Sequence, residues 1–352
     1  MNTRDVIVIG AGPAGLAAAI AATKAGLSYQ VIEKGALVNS LLHYPTEMVF
    51  FTTPELMEIG GLPFVSPHDK PSRMEALRYY RRATDTFNLD IVFDRKVETV
   101  ARNADGFIVE TAGRGDRLRV AGRTVVMATG AYDFPNLMNV PGETLPHVSH
   151  YYTAPHPFYR KRVVIVGGKN SAAEAALDLY RAGAQVTIVH RGAALGESIK
   201  YWVKPDIENR IKEGSIAARF HTSVLEITPT HVVVEASGVR EEMAADGVFL
   251  LTGYISDNRL LRAAGVEIDP ETCGPRHDPE TYETNVKGLY VIGAMVAGKA
   301  SGRIFIENGR FHGQVAIDQI GSWLMGHDSG MAHGSREAHG SREREPSSSL
   351  EP

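Results

Sequence analysis

The sequence predicts an α/β protein with two doubly wound parallel sheets, one inserted into the other, and three observations support this prediction. The 352-residue chain contains two units that each read strand, glycine-rich turn, helix and strand. In both units the same number of residues separates the first glycine from the end of the second strand, Gly10 to Glu33 and Gly167 to His190. Buried-strand patterns typical of such sheets recur after the second unit.

The first unit lies close to the N-terminus. The β-branched run Asp5–Ile9 predicts a strand, the turn GAGPAG follows it, and an alanine-rich stretch to Ala25 predicts a helix. Tyr29–Ile32 predict a second strand, which ends in Glu33. This order is typical of a βαβ unit in a parallel sheet.

The three glycines of the first turn are spaced for a dinucleotide. Gly10 permits the tight turn, Gly12 lets the backbone approach a pyrophosphate, and Gly15 lets the helix pack against the strand. Amide groups at the helix N-terminus then face the phosphates. Glu33 is placed to accept hydrogen bonds from a ribose and to repel a 2′-phosphate. The first unit therefore predicts a Rossmann-like nucleotide site.

The second unit has the same order with a different turn. Arg162–Val166 predict a strand, the turn GGKNSA follows, and a helix is expected to Ala182 before the strand Val186–Val189. Gly167 and Ala172 occupy the first and last glycine positions of the motif. Lys169 replaces the second glycine, so its side chain either clashes with the phosphates or reaches them as a cation.

The end of the second unit is basic instead of acidic. His190 and Arg191 supply a cation where an additional 2′-phosphate would lie, which favours NADPH over NADH. Lys200 is a candidate for a further contact with this nucleotide. The alternative interpretation is a solvated basic turn without a ligand.

Three later strands indicate how the two folds are connected. Arg123–Gly130 and Gly247–Gly253 each read as a buried strand that ends in Thr-Gly, and Gly288–Gly293 reads as another. We therefore expect the second fold to be inserted into the first. The predicted parts are a discontinuous FAD-binding domain, 1–154 and 253–326, and an inserted NADPH-binding domain, 155–252.

Two segments have a distinct composition. The proline-rich stretch Tyr132–Pro157 is predicted to form the hinge between the folds. From 327 to 352 the chain is polar and contains a tandem hexapeptide, so we predict a disordered, low-complexity tail.

Composition and charge exclude several classes of protein. The chain is 43% apolar and 22% charged, with 37 basic and 41 acidic residues, so neither nucleic acid nor a membrane is an expected partner. No apolar run approaches the roughly 18 residues of a membrane span. The N-terminus enters the first strand without a leader segment, and the expected location is the cytoplasm.

Cysteine and histidine usage limits the chemistry. Cys273 is the one cysteine, which excludes an intramolecular disulfide, a Cys-x-x-Cys pair and a cysteine-based zinc site. The histidines match no zinc spacing, so no metal is expected. No Ser-His-Asp set or pair of catalytic carboxylates is evident, and the catalytic residues are left unassigned.

Longer motifs carry a resemblance to known enzymes. The nested units and the strand ends MATG and GLYVIGA resemble the flavoproteins of the thioredoxin-reductase group, which have two dinucleotide-binding domains. The strings NSLLHYPTEMVFFTTPELMEIGG, GGKNSAAEAALDLYRAGAQVTIVHR and GRIFIENGRFHG are similar to the bacillithiol-disulfide reductase family. The resemblance extends from Asp5 to about Trp323. It implies an FAD- and NADPH-dependent oxidoreductase of the pyridine nucleotide-disulfide oxidoreductase type.

The resemblance also implies which residues bind each cofactor. For FAD they are Gly10, Gly12, Pro13, Ala14, Gly15, Glu33, Lys34, Asn39, Ser40, His43, Thr129, Gly130 and Gly293. For NADPH they are Asn170, Ser171, Ala172, His190, Arg191 and Gly253, and the reading of the second unit adds Gly167, Lys169 and Lys200 as candidates. The alternative for His43 is a structural histidine.

Two positions depart from the relatives' pattern. Most members of the wider group have Gly-Asp where this chain has Gly293 and Ala294, so a carboxylate that usually bonds the flavin's ribityl chain is missing. The bacillithiol-disulfide reductase family commonly has cysteine where this chain has Ala14. Reduction of a substrate disulfide would then proceed without a thiol of the protein, since Cys273 is expected to be a surface thiol.

The leading functional hypothesis is hydride transfer from NADPH to flavin and then to a small disulfide such as bacillithiol disulfide. The alternatives are a flavin monooxygenase, a ferredoxin or flavodoxin reductase, and a nucleotide-binding redox sensor without turnover. Members of the group often form homodimers, and a homo-oligomer is expected here.

Overall fold

The computed structural model describes residues 2–337, with the backbone alone for residues 301 and 327–337. The strands are β1 (Thr3–Ile9), β2 (Tyr29–Ile32), β3 (Ile91–Val92), β4 (Lys96–Asn103), β5 (Gly106–Ala112), β6 (Arg117–Met127), β7 (Val148–Ser149), β8 (Arg162–Val166), β9 (Gln185–Val189), β10 (Ala217–Arg219), β11 (Thr222–Ile227), β12 (His231–Ala236), β13 (Val239–Ala244), β14 (Gly247–Leu250) and β15 (Leu289–Val291).

The helices connect and cover these strands. They are α1 (Pro13–Lys24), α2 (Asn39–Leu42), α3 (Arg73–Thr86), α4 (Asn170–Arg181), α5 (Lys204–Lys212), α6 (Arg259–Ala263), α7 (Ile306–Gly309) and α8 (His312–Glu337), with 3-10 segments at Pro54–Met57, His156–Phe158 and Gly293–Arg303. Within the described part of the chain, no helix is both long and apolar enough to span a membrane.

The first sheet contains seven strands. Its order is β3-β2-β1-β6-β5-β4, and β15 pairs with β6. The pairs β1 with β2 and β6 with β15 are parallel, whereas β4, β5 and β6 form an antiparallel extension. Because β15 comes from the C-terminal part of the chain, the chain returns to the first sheet after completing the second.

The second sheet is entirely parallel. Its order is β10-β9-β8-β14-β7, and the three strands β11, β12 and β13 form a separate antiparallel sheet. The insertion of the second sheet into the chain of the first agrees with the predicted fold class, α/β with two doubly wound sheets. Strand β7 pairs with β14, so the second sheet begins before the predicted domain boundary at residue 155.

Helix α1 lies in the core of the first unit. Its residues from Gly15 to Ala22 are buried on all sides, because the sheet covers one face and α8 packs against another. Small residues allow this close contact. A Cβ at Gly313 in α8 would lie 2.5 Å from the Ala18 amide nitrogen. The alanine-rich sequence of α1 is therefore a requirement of packing.

Helix α8 extends into the segment predicted to be disordered. The backbone is helical to Glu337, so the structure differs from that prediction over 327–337. The packed residues before this segment have already nucleated the helix, so each further turn avoids the cost of nucleation, although two glycines lie within it. The remainder of the predicted tail lies outside the described residues.

Two chain segments join the units, and they lie side by side. The Asn136 amide donates to the Gly253 carbonyl at 2.9 Å, and the Thr252 hydroxyl donates to the Asn136 carbonyl at 2.8 Å. Next to these bonds the rings of Tyr132 and Tyr254 lie with centroids 4.6 Å apart. The segment 132–157, predicted to be the hinge, is therefore one of two connections between the units, and the two connections are hydrogen-bonded to each other.

Candidate functional site

A cavity of about 2190 Å³ lies between the two units and contains residues of both glycine turns. The predicted site residues that line it are Gly10, Gly12, Pro13, Ala14, Glu33, Lys34, Asn39, Ser40, Thr129, Gly130, Gly293, Gly167, Lys169, Asn170, Ser171, His190, Arg191, Lys200 and Gly253. Gly15, His43 and Ala172 are not among the lining residues. The structure therefore gathers most of the predicted positions around one space.

The first glycine turn has the geometry that its spacing predicts. Gly10 has φ +106°, and a Cβ there would lie 2.5 Å from the Ala128 carbonyl oxygen. A Cβ at Gly15 would overlap the Gly10 carbonyl oxygen, so this glycine serves helix packing and faces no ligand. A Cβ at Gly12 would meet no protein atom within 4 Å and would point into open space. Gly12 is thus the position that leaves room for a phosphate.

Glu33 is buried at the end of β2 and is held by backbone amides. Its Oε2 accepts from the Ala11 amide at 2.8 Å and its Oε1 accepts from the Gly35 amide at 2.9 Å. A carboxylate has about four acceptor positions, so this one can still accept hydroxyl groups. Beside it, Lys34 and Asp133 form an ion pair at 2.5 Å.

Three side chains in the wall of the cavity have a buried polar atom without a partner among the described residues. They are the Thr52 hydroxyl, the Nη1 of Arg95 and the Nε of Arg310. The other terminal nitrogen of Arg95 is bound by Asp116 at 2.7 Å. Buried polar groups are rarely left unpaired, so these atoms fit a bound group that offers hydrogen-bonding atoms. None of the three was predicted from the sequence, since each lies in a segment remote from the two glycine turns.

Ala14 lies next to Gly293, the residue that precedes Ala294, in space. A Cβ at Gly293 would lie 2.9 Å from the Ala14 Cβ. The Gly293 amide donates to Nδ1 of the buried His312 at 3.2 Å. Burial lowers the pKa of His312 to about 4, with a smaller contribution from His277. The imidazole is therefore neutral at pH 7 and acts as an acceptor for the chain at Gly293.

The second glycine turn is covered by the loop 192–200. A Cβ at Gly167 would lie 2.7 Å from the Leu251 carbonyl oxygen, which explains the glycine. The Gly196 amide donates to the Gly168 carbonyl at 2.7 Å, so the loop lies on the turn. The His190 ring lies close to Gly168, and burial lowers its pKa, with Arg191 contributing in the same direction.

Asn170 connects helix α4 to the same loop. Its Nδ2 donates to the Ser198 carbonyl at 3.0 Å, and its Oδ1 accepts from the Lys200 amide at 2.9 Å. Both ends of the side-chain amide are therefore used within the protein. Lys169, which begins the helix, is exposed and forms no side-chain cap.

The cavity is more basic than the chain as a whole. Ten Lys and Arg residues line it against seven Asp and Glu residues, whereas the chain has a net charge of -4. Among the lining acids, burial raises the pKa of Glu174 to about 7, although Lys200 acts to lower it. This excess of cations suits anionic ligands such as phosphates and carboxylates.

Residues outside the cavity have other roles. His43 is exposed and its Nδ1 lies 2.8 Å from the Asn39 carbonyl oxygen, which fits the structural alternative. Cys273, the one cysteine of the chain, is not among the lining residues. Within residues 2–337 no group of three or more His, Cys, Asp or Glu side chains is arranged to hold a metal ion.

Comparisons with known proteins agree with this arrangement. The family model of the pyridine nucleotide-disulphide oxidoreductases matches residues 7–293. The chain is 43% identical to bacilliredoxin reductase Bdr of Bacillus subtilis (strain 168) over 316 residues, which are 89% of this chain and 96% of the relative.

Solved structures give the same result. Bacillithiol disulfide reductase Bdr from Bacillus cereus is 41% identical, with a TM-score of 0.90 over 91% of this chain and 99% of that chain. Thioredoxin reductase from T. acidophilum is 22% identical, with a TM-score of 0.73 over 92% of this chain and 100% of that chain, and it shows the fold alone. The chain therefore belongs to the pyridine nucleotide-disulphide oxidoreductase family, within its Bdr group, and is an oxidoreductase that uses FAD and NADPH.

Proposed function

We propose that the protein reduces a low-molecular-weight disulfide, bacillithiol disulfide, with electrons from NADPH. In the balanced reaction NADPH, one proton and the disulfide give NADP⁺ and two thiols. The observation that carries this proposal is the cavity, which contains both glycine turns and therefore has room for two cofactors and an acceptor. The relatives at 41% and 43% identity are both named as Bdr reductases. This favours disulfide reduction over the monooxygenase, ferredoxin reductase and sensor hypotheses.

The first unit is proposed to bind FAD, which when bound accepts an electron pair from NADPH and passes it to the acceptor. The Gly12 position and the amides at the start of α1 would receive the diphosphate. Glu33 would accept the ribose hydroxyls, and the unpaired atoms of Thr52 and Arg95 add contacts. The remaining positions proposed for FAD are Pro13, Ala14, Lys34, Asn39, Ser40, Thr129, Gly130 and Gly293, which line the cavity.

The second unit is proposed to bind NADPH. The start of α4 would face the phosphates, and Arg191 would bind the 2′-phosphate. Further proposed positions are Gly167, Lys169, Ser171, His190 and Gly253, all of which line the cavity. Asn170 would act by holding the loop 192–200 in place.

Replacing Arg191 with glutamine is expected to raise the Kd for NADPH about tenfold and to leave that for NADH unchanged, because only NADPH has the 2′-phosphate. The measurement is a binding titration with each nucleotide. Arg181→Gln is the matched control, since Arg181 also lines the cavity but is paired with Asp206 at 2.6 Å. Equal losses for both nucleotides in Arg191→Gln would remove the 2′-phosphate assignment.

The reaction would use no thiol of the protein. Ala14 stands where the family commonly has cysteine, and Cys273 is not among the residues that line the cavity. The protein's own contribution is then to bind and orient the reactants and to exclude water from the space between the units.

The test is NADPH consumption by the FAD-loaded protein without oxygen, measured before and after addition of bacillithiol disulfide. We expect consumption that depends on the disulfide, with two thiols formed for each NADPH. If the flavin is reduced and the disulfide changes nothing, the small-disulfide function is wrong. A disulfide-form bacilliredoxin is then the next acceptor to add, because the relative at 43% identity is named for it.

The proposal includes a cellular location and an oligomeric state. We infer that the enzyme acts in the cytoplasm and that it forms a homo-oligomer, as members of the group often do. Light scattering of the FAD-loaded protein across a concentration series would give its mass, and a monomer at every concentration would contradict the oligomer.

A further inference from the structure

We propose that the ammonium group of Lys200 binds a carboxylate of the disulfide acceptor, which makes the preferred acceptor a carboxylate-bearing small disulfide. This inference rests on the proposed function and adds a specificity-determining residue to it. It differs from the sequence-based expectation that Lys200 contacts NADPH.

Lys200 lies where the two units face each other. Lys200 belongs to the loop that follows β9 in the second unit, and Asn170 holds its backbone amide. Its Nζ lies 4.9 Å from the ring centroid of Phe51 and 5.5 Å from that of Phe305. Both rings belong to segments of the first unit, and both line the cavity. The cation therefore reaches across the cavity to the unit whose glycine turn is proposed to hold FAD.

The ammonium group of Lys200 lacks a fixed counter-charge. Lys200 is half-buried, and it forms no ion pair among the described residues. The acid that interacts with it is Glu174, whose pKa burial raises to about 7, although Lys200 acts to lower it. Aromatic faces stabilise an ammonium but leave its N–H groups without acceptors. An incoming carboxylate would supply the acceptors and form a charge-assisted hydrogen bond.

The Lys200 ammonium is separate from the proposed NADPH site. Arg191, where the 2′-phosphate is proposed to bind, follows β9 by two residues. The loop between Arg191 and Lys200 is held on the second glycine turn by the bond from Gly196 to Gly168. An anion at the Lys200 ammonium would lie against Phe51 and Phe305, on the side of the first unit.

The chemistry of the acceptor fits this site. Each half of bacillithiol disulfide joins a cysteine to a glucosamine that carries malate, and the malate carboxylates are charged at neutral pH. Lys200 would hold one of these carboxylates and thereby orient the disulfide, without taking part in the transfer of electrons.

The experiment changes the residue and the substrate together. Lys200→Gln is compared with wild type on bacillithiol disulfide and on its full methyl ester, in which every malate carboxylate is esterified and uncharged. We expect Lys200→Gln to raise the KM for the disulfide about tenfold, and the ester to show that raised KM already in wild type with no further rise in the variant. Lys200→Arg is expected to restore most of the affinity. The KM for NADPH and the FAD content should stay as in wild type.

The matched control is Lys70→Gln. Lys70 also lies on an aromatic ring, with its Nζ 3.5 Å from the centroid of Trp202, but it is not among the residues that line the cavity. Its loss is expected to leave the KM for the disulfide unchanged. The wild-type comparison of disulfide and ester needs no variant, so it tests the proposal even if a substituted protein folds poorly.

The remaining outcomes overturn the proposal in distinguishable ways. A raised KM for NADPH or a loss of FAD in Lys200→Gln would place this cation in a cofactor site. Equal use of disulfide and ester by wild type would overturn the carboxylate contact and leave the proposed function intact. If wild type reduces neither compound although NADPH reduces its flavin, the proposed function itself fails and the inference fails with it.

Discussion

Replacement of Gly12 by alanine is expected to give a folded protein that binds FAD about a hundredfold more weakly. Among the described residues, apart from the two chain neighbours of Gly12, no atom lies within 4 Å of the added methyl group, so the protein itself tolerates it. The methyl group would occupy the space through which the diphosphate approaches the backbone. The FAD affinity is measured by titration of the flavin-free protein, and its unfolding free energy by chemical denaturation.

Gly15→Ala is the control that separates binding from folding. The added Cβ would overlap the Gly10 carbonyl oxygen and lie 3.3 Å from the Ala128 Cβ, and backbone atoms cannot move aside as a flexible side chain can. We expect the flavin-free protein to lose about 3 kcal/mol of stability. If Gly12→Ala destabilises the flavin-free protein as much as Gly15→Ala does, the division of roles between the two glycines is wrong.

The second large effect concerns His312 and acid. Its pKa is about 4 in the folded protein and about 6.5 in the unfolded chain, so below pH 6.5 the unfolded chain takes up a proton that the folded protein does not. The stability due to the neutral ring is complete above pH 6.5 and falls as the pH decreases towards 4. The difference corresponds to about 3 kcal/mol. Protonation would also put a hydrogen on Nδ1 of His312. That hydrogen would face the N–H of Gly293, which donates to Nδ1 when the ring is neutral.

His312→Asn is the variant that tests this. The asparagine oxygen can accept from the Gly293 amide without titrating. The difference in unfolding free energy between wild type and variant should change by about 3 kcal/mol from pH 6.5 to pH 4. Using the difference removes the opposite contribution of Glu174, whose raised pKa favours the folded state as the pH falls. The exposed His68→Asn is the control, and a difference that does not change with pH would contradict the role of His312.

The parts of the site that follow local rules were predictable from sequence. The turn around Gly10 is determined by steric limits that act within a few residues, and its spacing alone indicates which glycine leaves open space beside the backbone. Glu33 follows β2 and Arg191 follows β9, and in each parallel sheet the carboxyl ends of the strands lie at the same edge as the glycine turn of that unit. The two units could therefore be assigned before their arrangement was known.

Other contacts depend on segments that only the tertiary structure brings together. Thr52 and Arg95 lie in irregular segments whose residue types carry no motif, and their significance comes from burial without a partner. The rings of Phe51 and Phe305 are separated by most of the chain and meet at Lys200 through the docking of the two units. No periodicity in the sequence indicates this contact, because the local structure around each of the three residues does not depend on it.

No cysteine is among the residues that line the cavity, and this affects how peroxide can inactivate the enzyme. Peroxide inactivates thiol-dependent enzymes by converting a reactive cysteine to sulfinic and sulfonic acids, which most cells cannot reverse. Ala14 offers no sulfur to that reaction, and Cys273 lies apart from the cavity lining. Oxidation of the protein's one thiol therefore leaves the residues that line the cavity chemically unchanged.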